Sequence, residues 1–342
     1  MRQNSRNPCS LKSRKKYIDP YVNLREVWNL PEVVITVFNK RIFLVSTRSV
    51  GAAKDFRSMN RIIIFFLFGM CLLTGNLYPQ NRYVYPWLEN QPAKGYDRIG
   101  HIPLPEGYQR IPYPEQSFQD WLRYLPLKRD QQKVHLFDGR LKFNQNVHYR
   151  IIDMDVGKTD LQQCADAIMR LYAEYLYSQG RYDEIAFNFT NGDRARFSRW
   201  SEGFRPVVRG NQSTWRKTAA FDLSYANFRK YLNIVFSYAG SYSLSQELEH
   251  VDDAGELQAG DVFIEGGHPG HGVIVVDAAV HPETQEKIFL IAQSYMPAQE
   301  IHILKNPNDA ALNPWYSVDA PSGLNTPQWP FQWEDLKRFK GL

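Results

Sequence analysis

A single cysteine in the second half of the chain is the residue best placed to act as a nucleophile. The 342 residues include three cysteines, and Cys9 and Cys71 lie in an N-terminal part that we expect to be removed. A lone thiol in an exported protein has no intramolecular disulfide partner. Cys164 is therefore the candidate nucleophile for attack on a carbonyl carbon, and a core position on an amphipathic helix is the alternative.

Two downstream residues could supply the proton transfer that a thiol nucleophile needs. His271 opens the apolar segment HGVIVVD, and a histidine at the head of a buried strand can act as a general base. Gln293 lies in the otherwise apolar segment KIFLIAQSY and could orient the imidazole through a hydrogen bond. The alternatives are an ordinary turn histidine and a glutamine that bonds to the backbone. His268 and His271 could form half of a metal site, but no third ligand is evident, so we predict no metal and no cofactor.

An arginine-rich segment is the candidate substrate-binding surface. Residues 194–217 carry six arginines and two tryptophans. Arginine forks beside aromatic rings suit a ligand with carboxylate or sugar groups, and we single out Arg199, Trp200 and Arg205. The alternative is a solvated loop whose arginines pair with acidic groups elsewhere in the chain.

Hydrophobic periodicity predicts the elements that position these residues. Thr159 and Gln162 match a capping box, so a helix should begin at about residue 160 and end at Gly180. The helix dipole would then lower the pKa of Cys164. A strand is predicted at 147–156, and four apolar segments joined by hairpin-length connections predict an antiparallel sheet. These segments are 261–264, 271–277, 287–295 and 300–304.

The flanking segments lack this periodicity. Prolines in 81–145 forbid long helices and central strands, so loops and one helix at 115–124 are expected. The tail 306–342 reads as a loop that ends in a short helix near 333–339. We therefore predict an α+β fold for 81–342, as one domain whose core spans about 147–304.

The N-terminal segment is predicted to be separate from this domain. Residues 1–58 hold 12 basic and 4 acidic residues, whereas 59–342 hold 29 and 32, so the charge gives no support to nucleic-acid binding. From Met59, one arginine, an unbroken apolar run and a short polar tail have the layout of a secretory signal peptide, which makes 1–58 an extension absent from the mature protein. The protein is expected in the periplasm or cell envelope. The alternative is that 62–78 remains as a membrane anchor.

The order of these parts resembles a family of cell-wall peptidases. The helix with Cys164, the turn Gly260-Asp261, the strand headed by His271, and Gln293 are similar to the core of the papain-like NlpC-type peptidases. The resemblance implies a thiol hydrolase with a Cys-His-Gln arrangement and a backbone amide at the helix start as oxyanion donor. Its partner would be a peptide or peptidoglycan fragment.

The sequence also departs from that pattern. The family usually has Asp-Cys-Ser at the nucleophile, where this chain has Gln163-Cys164-Ala165, and its gap to His271 is longer than usual. The segments DLQQCADAIMRLYAEY, GDVFIEGGHPGHGVIVVD and FLIAQSYMPAQEIHILKNP make 82–340 similar to a bacterial family, domain of unknown function 4846. That family implies no established activity. A non-catalytic envelope-binding protein on the same fold is therefore the alternative function.

Overall fold

The computed structural model describes residues 33–38, 41–46, 82–92, 95–130, 132–321 and 323–342. The chain divides into two compact units, Met1–Asn76 and Leu77–Leu342. In the first unit, β1 (Val33–Phe38) and β2 (Arg41–Ser46) form an antiparallel hairpin. The predicted signal segment, Cys9 and Cys71 lie outside the described residues. Within the described ranges, no helix is long and apolar enough to cross a membrane.

An antiparallel sheet forms the centre of the second unit. Its strands are β3 (Gln109–Arg110), β4 (His148–Ile151), β9 (Glu249–His250), β10 (Val262–Glu265), β11 (His271–Val280), β12 (Lys287–Gln293), β13 (His302–Leu304), β14 (Tyr316–Ser317) and β17 (Leu336–Arg338). Among the described residues, the order along the sheet is β4-β13-β12-β11-β10-β17-β9, with β14 beside β12 and β3 beside β11. The remaining strands form the hairpins β5–β6 (Ala186–Asn188, Arg194–Arg196), β7–β8 (Phe204–Arg209, Gln212–Lys217) and β15–β16 (Leu324–Asn325, Pro330–Phe331).

The helices complete an α+β fold, as predicted. They are α1 (Phe118–Arg123), α2 (Cys164–Ser178), α3 (Phe197–Ser201), α4 (Tyr225–Tyr238) and α5 (Ser241–Glu247). Helix α2 packs across the middle of the sheet against β11. The two backbones come close at Gly272, where an added Cβ would lie 2.9 Å from Ile168 Cδ1. A glycine at this position therefore allows the close approach of helix and strand.

The two faces of the sheet carry two separate groups of buried side chains. Because side chains alternate along a strand, Ile274, Ala292 and Ile303 pack on the same side as α2. Their neighbours on the other side pack under the C-terminal segment, which contributes Phe331 and Leu336. Both faces are covered, so polar residues on these strands are held in the protein interior.

Helix α2 begins four residues later than predicted, at Cys164. The N-cap is Gln163, whose backbone N–H donates to Asp166 Oδ2 at 3.0 Å. Gln162 does not cap the helix, because its side chain turns inward and its amide oxygen accepts a hydrogen bond from Arg170. The capping box is therefore formed by Gln163 and Asp166 and not by Thr159 and Gln162, and Cys164 is the first helical residue.

Three segments differ from the sequence-based expectation. The predicted loop at 194–217 contains β6, α3 and the β7–β8 hairpin. In the tail, a 3₁₀ turn at Trp333–Asp335 leads into β17, which pairs with β10 where a short helix was predicted. Strand β4 covers only His148–Ile151 of the predicted 147–156. Strand β17 is too short to show a hydrophobic alternation in the sequence. It pairs with β10, which lies about 70 residues earlier in the chain.

Candidate functional site

Cys164 opens α2 and lines a cleft of about 400 Å³, here called the cysteine cleft. Its walls are the start of α2, residues 239–241 and the glycine-rich segment 267–270, with Met296 at one side. The cysteine is free and only 8% exposed. A ligand in this cleft would meet the thiol at the end of the helix.

The pKa of the Cys164 thiol is raised to about 11, mainly because burial disfavours the thiolate. The backbone amide of Ala165 acts in the opposite direction, and the Asp166 carboxylate raises the pKa further. The expected lowering by the helix N-terminus is therefore not found, since burial outweighs it. The resting thiol is protonated at neutral pH.

His271 and Gln293 form a hydrogen bond in the interior, with His271 Nε2 2.9 Å from Gln293 Oε1. The register of the sheet explains the contact. Ile274 pairs with Ala292, so Gln293 lies opposite Val273, on the same face as His271 two residues earlier. The contact anticipated from the sequence is thus present, while the catalytic roles of both residues remain predictions.

A chain of hydrogen bonds determines which nitrogen of His271 carries the proton. His302 Nδ1 lies 2.8 Å from the backbone oxygen of Glu300, which can only accept, so Nδ1 donates and Nε2 is an acceptor. The amide of Gln293 then points its NH₂ group to His302 Nε2 (3.4 Å) and to Gln328 Oε1 (2.8 Å). Its oxygen accepts from His271 Nε2–H, which leaves His271 Nδ1 as the basic nitrogen.

The pKa of His271 is lowered to about 4, chiefly by burial. The hydrogen bond that His271 donates to Gln293 opposes this effect, and the nearby charge of Lys142 adds to it. Aromatic rings pack around the imidazole, with centroids at 4.8 Å for Tyr295, 5.5 Å for Trp329 and 5.9 Å for Phe331. At neutral pH the imidazole is uncharged, like the thiol.

Cys164 and His271 approach the start of β11 from different sides. Gly272 faces α2, and its backbone acts on the Cys164 thiol in the direction that lowers the thiol pKa. The adjacent His271 points to the other face, where its ring stacks on Phe331. In the described part of the chain, no hydrogen bond joins the thiol to the imidazole. The thiol therefore approaches the start of β11 from the side of α2, and the imidazole lies on the other side of the strand.

Comparison with known proteins assigns the chain to a family. A family model described as a domain of unknown function (4846) matches residues 99–338. The chain belongs to this family. No curated protein matches the chain, and no solved structure does. The region that matches domain of unknown function 4846 contains Cys164, His271 and Gln293, together with both faces of the central sheet.

The predicted substrate-binding residues lie elsewhere in the domain of unknown function 4846. Arg205 packs over the Trp200 ring at 3.7 Å and donates to the Trp200 backbone oxygen at 2.7 Å. Arg199 lies 4.9 Å from the Trp215 ring centre. None of Arg199, Trp200 and Arg205 is among the described residues that line the cysteine cleft. Their contacts stabilise the β7–β8 region, and a role in substrate binding remains a prediction without support from the cleft.

Several residues of the site were not singled out from the sequence. His302 could have been found, because the alternation in EIHIL places it on the face that also carries Gln293. Lys142 and Asp166 carry no local signal, since their importance depends on burial and on missing partners. Among the described residues, no group of three or more His, Cys, Asp or Glu side chains could hold a metal ion.

Proposed function

We propose that the protein is a thiol hydrolase of peptide or amide bonds with a papain-like, NlpC-type core. Cys164 is the nucleophile, His271 the general base and acid, and Gln293 the residue that orients the imidazole. The observation that carries the proposal is the hydrogen bond from His271 Nε2 to Gln293, because it leaves Nδ1 basic beside the strand residue that Cys164 contacts. The order helix, strand, neighbouring strand supports the same assignment.

The reaction uses one proton and two acyl transfers. Nδ1 of His271 takes the proton from the Cys164 thiol as sulfur bonds to the substrate carbonyl carbon. The oxyanion that forms accepts hydrogen bonds from backbone amides of the first turn of α2. The imidazolium then protonates the leaving nitrogen, the C–N bond breaks, and water hydrolyses the thioester with His271 again acting as the base.

The resting site must change before it can react. A thiol with a pKa of about 11 and an imidazole with a pKa of about 4 do not exchange a proton by themselves at neutral pH. A movement at the start of β11 that keeps the hydrogen bond between His271 and Gln293 would have to bring sulfur and Nδ1 together. Catalytic hydrogen bonds are often long in a free enzyme and shorten with substrate bound. We therefore propose a site that substrate binding completes.

Digestion of purified cell-wall peptides tests the hydrolase. We expect Cys164→Ala to lower the rate by at least about a thousandfold, because it removes the nucleophile. His271→Ala should act similarly, and Gln293→Ala should cost about ten- to a hundredfold. His268→Ala is the matched control, since His268 lines the same cleft but has no assigned role. Equal rates for wild type and Cys164→Ala would refute the proposal.

A second candidate is a non-catalytic envelope-binding protein on the same fold. The uncharged resting thiol and imidazole favour it, because neither group is poised for chemistry. In that case Cys164→Ala would bind wall peptides with unchanged affinity, and the wild type would release no product. Product analysis and calorimetric binding on the same peptides separate the two candidates.

We also propose that the protein acts outside the cytoplasm, on peptidoglycan or its fragments. The basis is the signal-like segment that begins at Met59 and the resemblance to cell-wall peptidases. Membrane anchoring through 62–78 is the alternative. N-terminal sequencing of the native protein distinguishes a cleaved from a retained segment.

A further inference from the structure

A buried lysine without a counter-ion lies close to the His271 side of the site. Lys142 is only 6% exposed, and within the described ranges its ammonium has no carboxylate and no hydrogen-bond partner. Its Nζ lies 5.2 Å from the centre of the Tyr295 ring. The lysine stem is buried, whereas the ammonium opens onto a cleft, where a cation without a counter-ion can pair with a bound anion.

A short hairpin holds this lysine in place. The turn at Asp138-Gly139 is closed by a 2.7 Å hydrogen bond from Leu136 N to the Arg140 backbone oxygen. The backbone N–H of Lys142 donates to Val134 at 2.9 Å. The lysine is therefore presented by ordered backbone.

Lys142 lines a second cleft of about 400 Å³, here called the lysine cleft. Met296 lines both this cleft and the cysteine cleft. Tyr295 and Gln328 also line it, and Gln328 accepts the hydrogen bond of Gln293. The lysine cleft therefore adjoins the residues that hold His271, whereas the cysteine cleft adjoins the thiol.

We infer that Lys142 binds a carboxylate on the leaving-group side of the substrate, so that the preferred substrates are peptides whose scissile bond lies close to a free C-terminal carboxylate. The inference rests on the proposed hydrolase function for its assignment of the two clefts. The general acid must stand beside the leaving nitrogen, so the leaving group occupies the lysine cleft and the acyl part the cysteine cleft.

The apolar rim of the lysine cleft suits a small amino-acid side chain. Phe143 is fully exposed there, and Leu141 and Met296 are exposed at 47% and 57%. A carboxylate paired with Lys142 would also cancel the charge that lowers the pKa of His271. Binding of the correct substrate would therefore make His271 a stronger base, and a substrate without the carboxylate would not.

Binding to the Cys164→Ala protein tests the inference independently of turnover. The probes are N-acetyl trialanine as the C-terminal acid and as the C-terminal amide, prepared with L- and with D-alanine at the last two positions. By calorimetry, we expect the acid in one configuration to bind about 10- to 100-fold more tightly than its amide, as a charge-assisted hydrogen bond provides. Adding Lys142→Met should abolish this difference.

Arg140→Met is the matched control, because Arg140 lines the same cleft but already pairs with Asp138. It should keep the preference for the acid, as should Lys142→Arg in large part. Equal affinity for acid and amide, a preference that survives Lys142→Met, or no detectable binding of any acid probe at millimolar concentration would overturn the inference. If the acid preference holds but the wild type cleaves no peptide, the proposed hydrolase fails while the carboxylate site stands.

Discussion

Buried charged groups have counter-ions around Arg170 and lack them at the two clefts. The fully buried Arg170 contacts Asp155 at 2.8 Å and Glu174 at 3.4 Å. In the described part of the chain, the buried Asp166 at the cysteine cleft and the buried Lys142 at the lysine cleft have no ion-pair partner. Single carboxylate oxygens without a hydrogen bond occur in both regions, at Glu174 Oε2 and at Asp166 Oδ1, so the difference lies in the counter-ions.

Buried carboxylates elsewhere on the central sheet also have counter-ions. Asp277 is bound by Arg110 at 2.7 Å and by Arg123 at 2.6 Å, and Asp261 by Arg338 at 2.6 Å. At these two positions the chain pairs a buried carboxylate with arginine. At the lysine cleft, the proposed carboxylate ligand would supply the counter-ion that the protein does not provide for Lys142.

The largest expected effect is the loss of the buried cation Arg170. Arg170→Met would remove the cation that contacts the buried Glu174, so we expect a loss of about 3–5 kcal/mol in the free energy of unfolding. Urea denaturation measures it. The double variant Arg170→Met/Glu174→Leu should recover part of the loss, because it removes the uncompensated charge. If the single variant lowered the free energy of unfolding by less than about 1 kcal/mol, the counter-ions around Arg170 would not be important for stability, and the proposed difference between the two regions would be wrong.

The corresponding substitution at the lysine cleft should change the free energy of unfolding by less than Arg170→Met does, and in the opposite direction. Lys142→Met removes a buried ammonium with no partner, and burial lowers its pKa to about 8. Because the group opens onto a cleft where water screens it, we expect a gain of only about 1 kcal/mol at pH 7.

The pH dependence of this gain follows from the lowered pKa of Lys142. The folded protein releases the lysine proton at about pH 8, and the unfolded chain does so near 10.5. Wild type is therefore penalised below pH 8 and recovers as pH rises to about 10.5, so the advantage of the variant should vanish there. Urea titrations at pH 7 and 10.5 test this. Destabilisation by the substitution at pH 7 would instead make Lys142 a structural residue.

The elements that could be predicted from the sequence are those whose apolar pattern extends over many residues. Strands β10 to β12 carry continuous apolar patterns, and the sequence placed them within a few residues. The predicted start of α2 was wrong because the side chain of Gln162 accepts a hydrogen bond from Arg170, eight residues away, and does not cap the helix. Strand β17 was missed because it is short and exists through its pairing with β10.

The candidate site divides in the same way. Cys164, His271 and Gln293 could be selected because residue type, order and strand alternation are visible in the sequence. Lys142 and Asp166 could not, because an unpaired charge is defined by groups that are absent from its surroundings. The raised pKa of Cys164 was missed for a related reason: the depth of burial at a helix end depends on the packing of distant segments.

The smallest effect concerns the reactivity of the thiol. Asp166 raises the pKa of Cys164, after the larger effect of burial. Asp166→Asn removes that charge and keeps an oxygen that can accept the N–H of Gln163. Alkylation follows the thiolate fraction, so we expect iodoacetamide to react about two- to fivefold faster with the variant at pH 8.5 to 9.5.

The expected acceleration depends on the protonation of Asp166 itself. Burial raises the pKa of this carboxyl well above its ordinary value, so at lower pH it is uncharged and the substitution should have little effect. Asp160→Asn is the matched control, because Asp160 lines the same cleft but is exposed and accepts the backbone N–H of Ala298 at 2.7 Å. If both variants react at the wild-type rate across this pH range, the charge of Asp166 does not reach the thiol. Burial alone then keeps Cys164 protonated, and only a bound ligand or a movement of α2 could activate it.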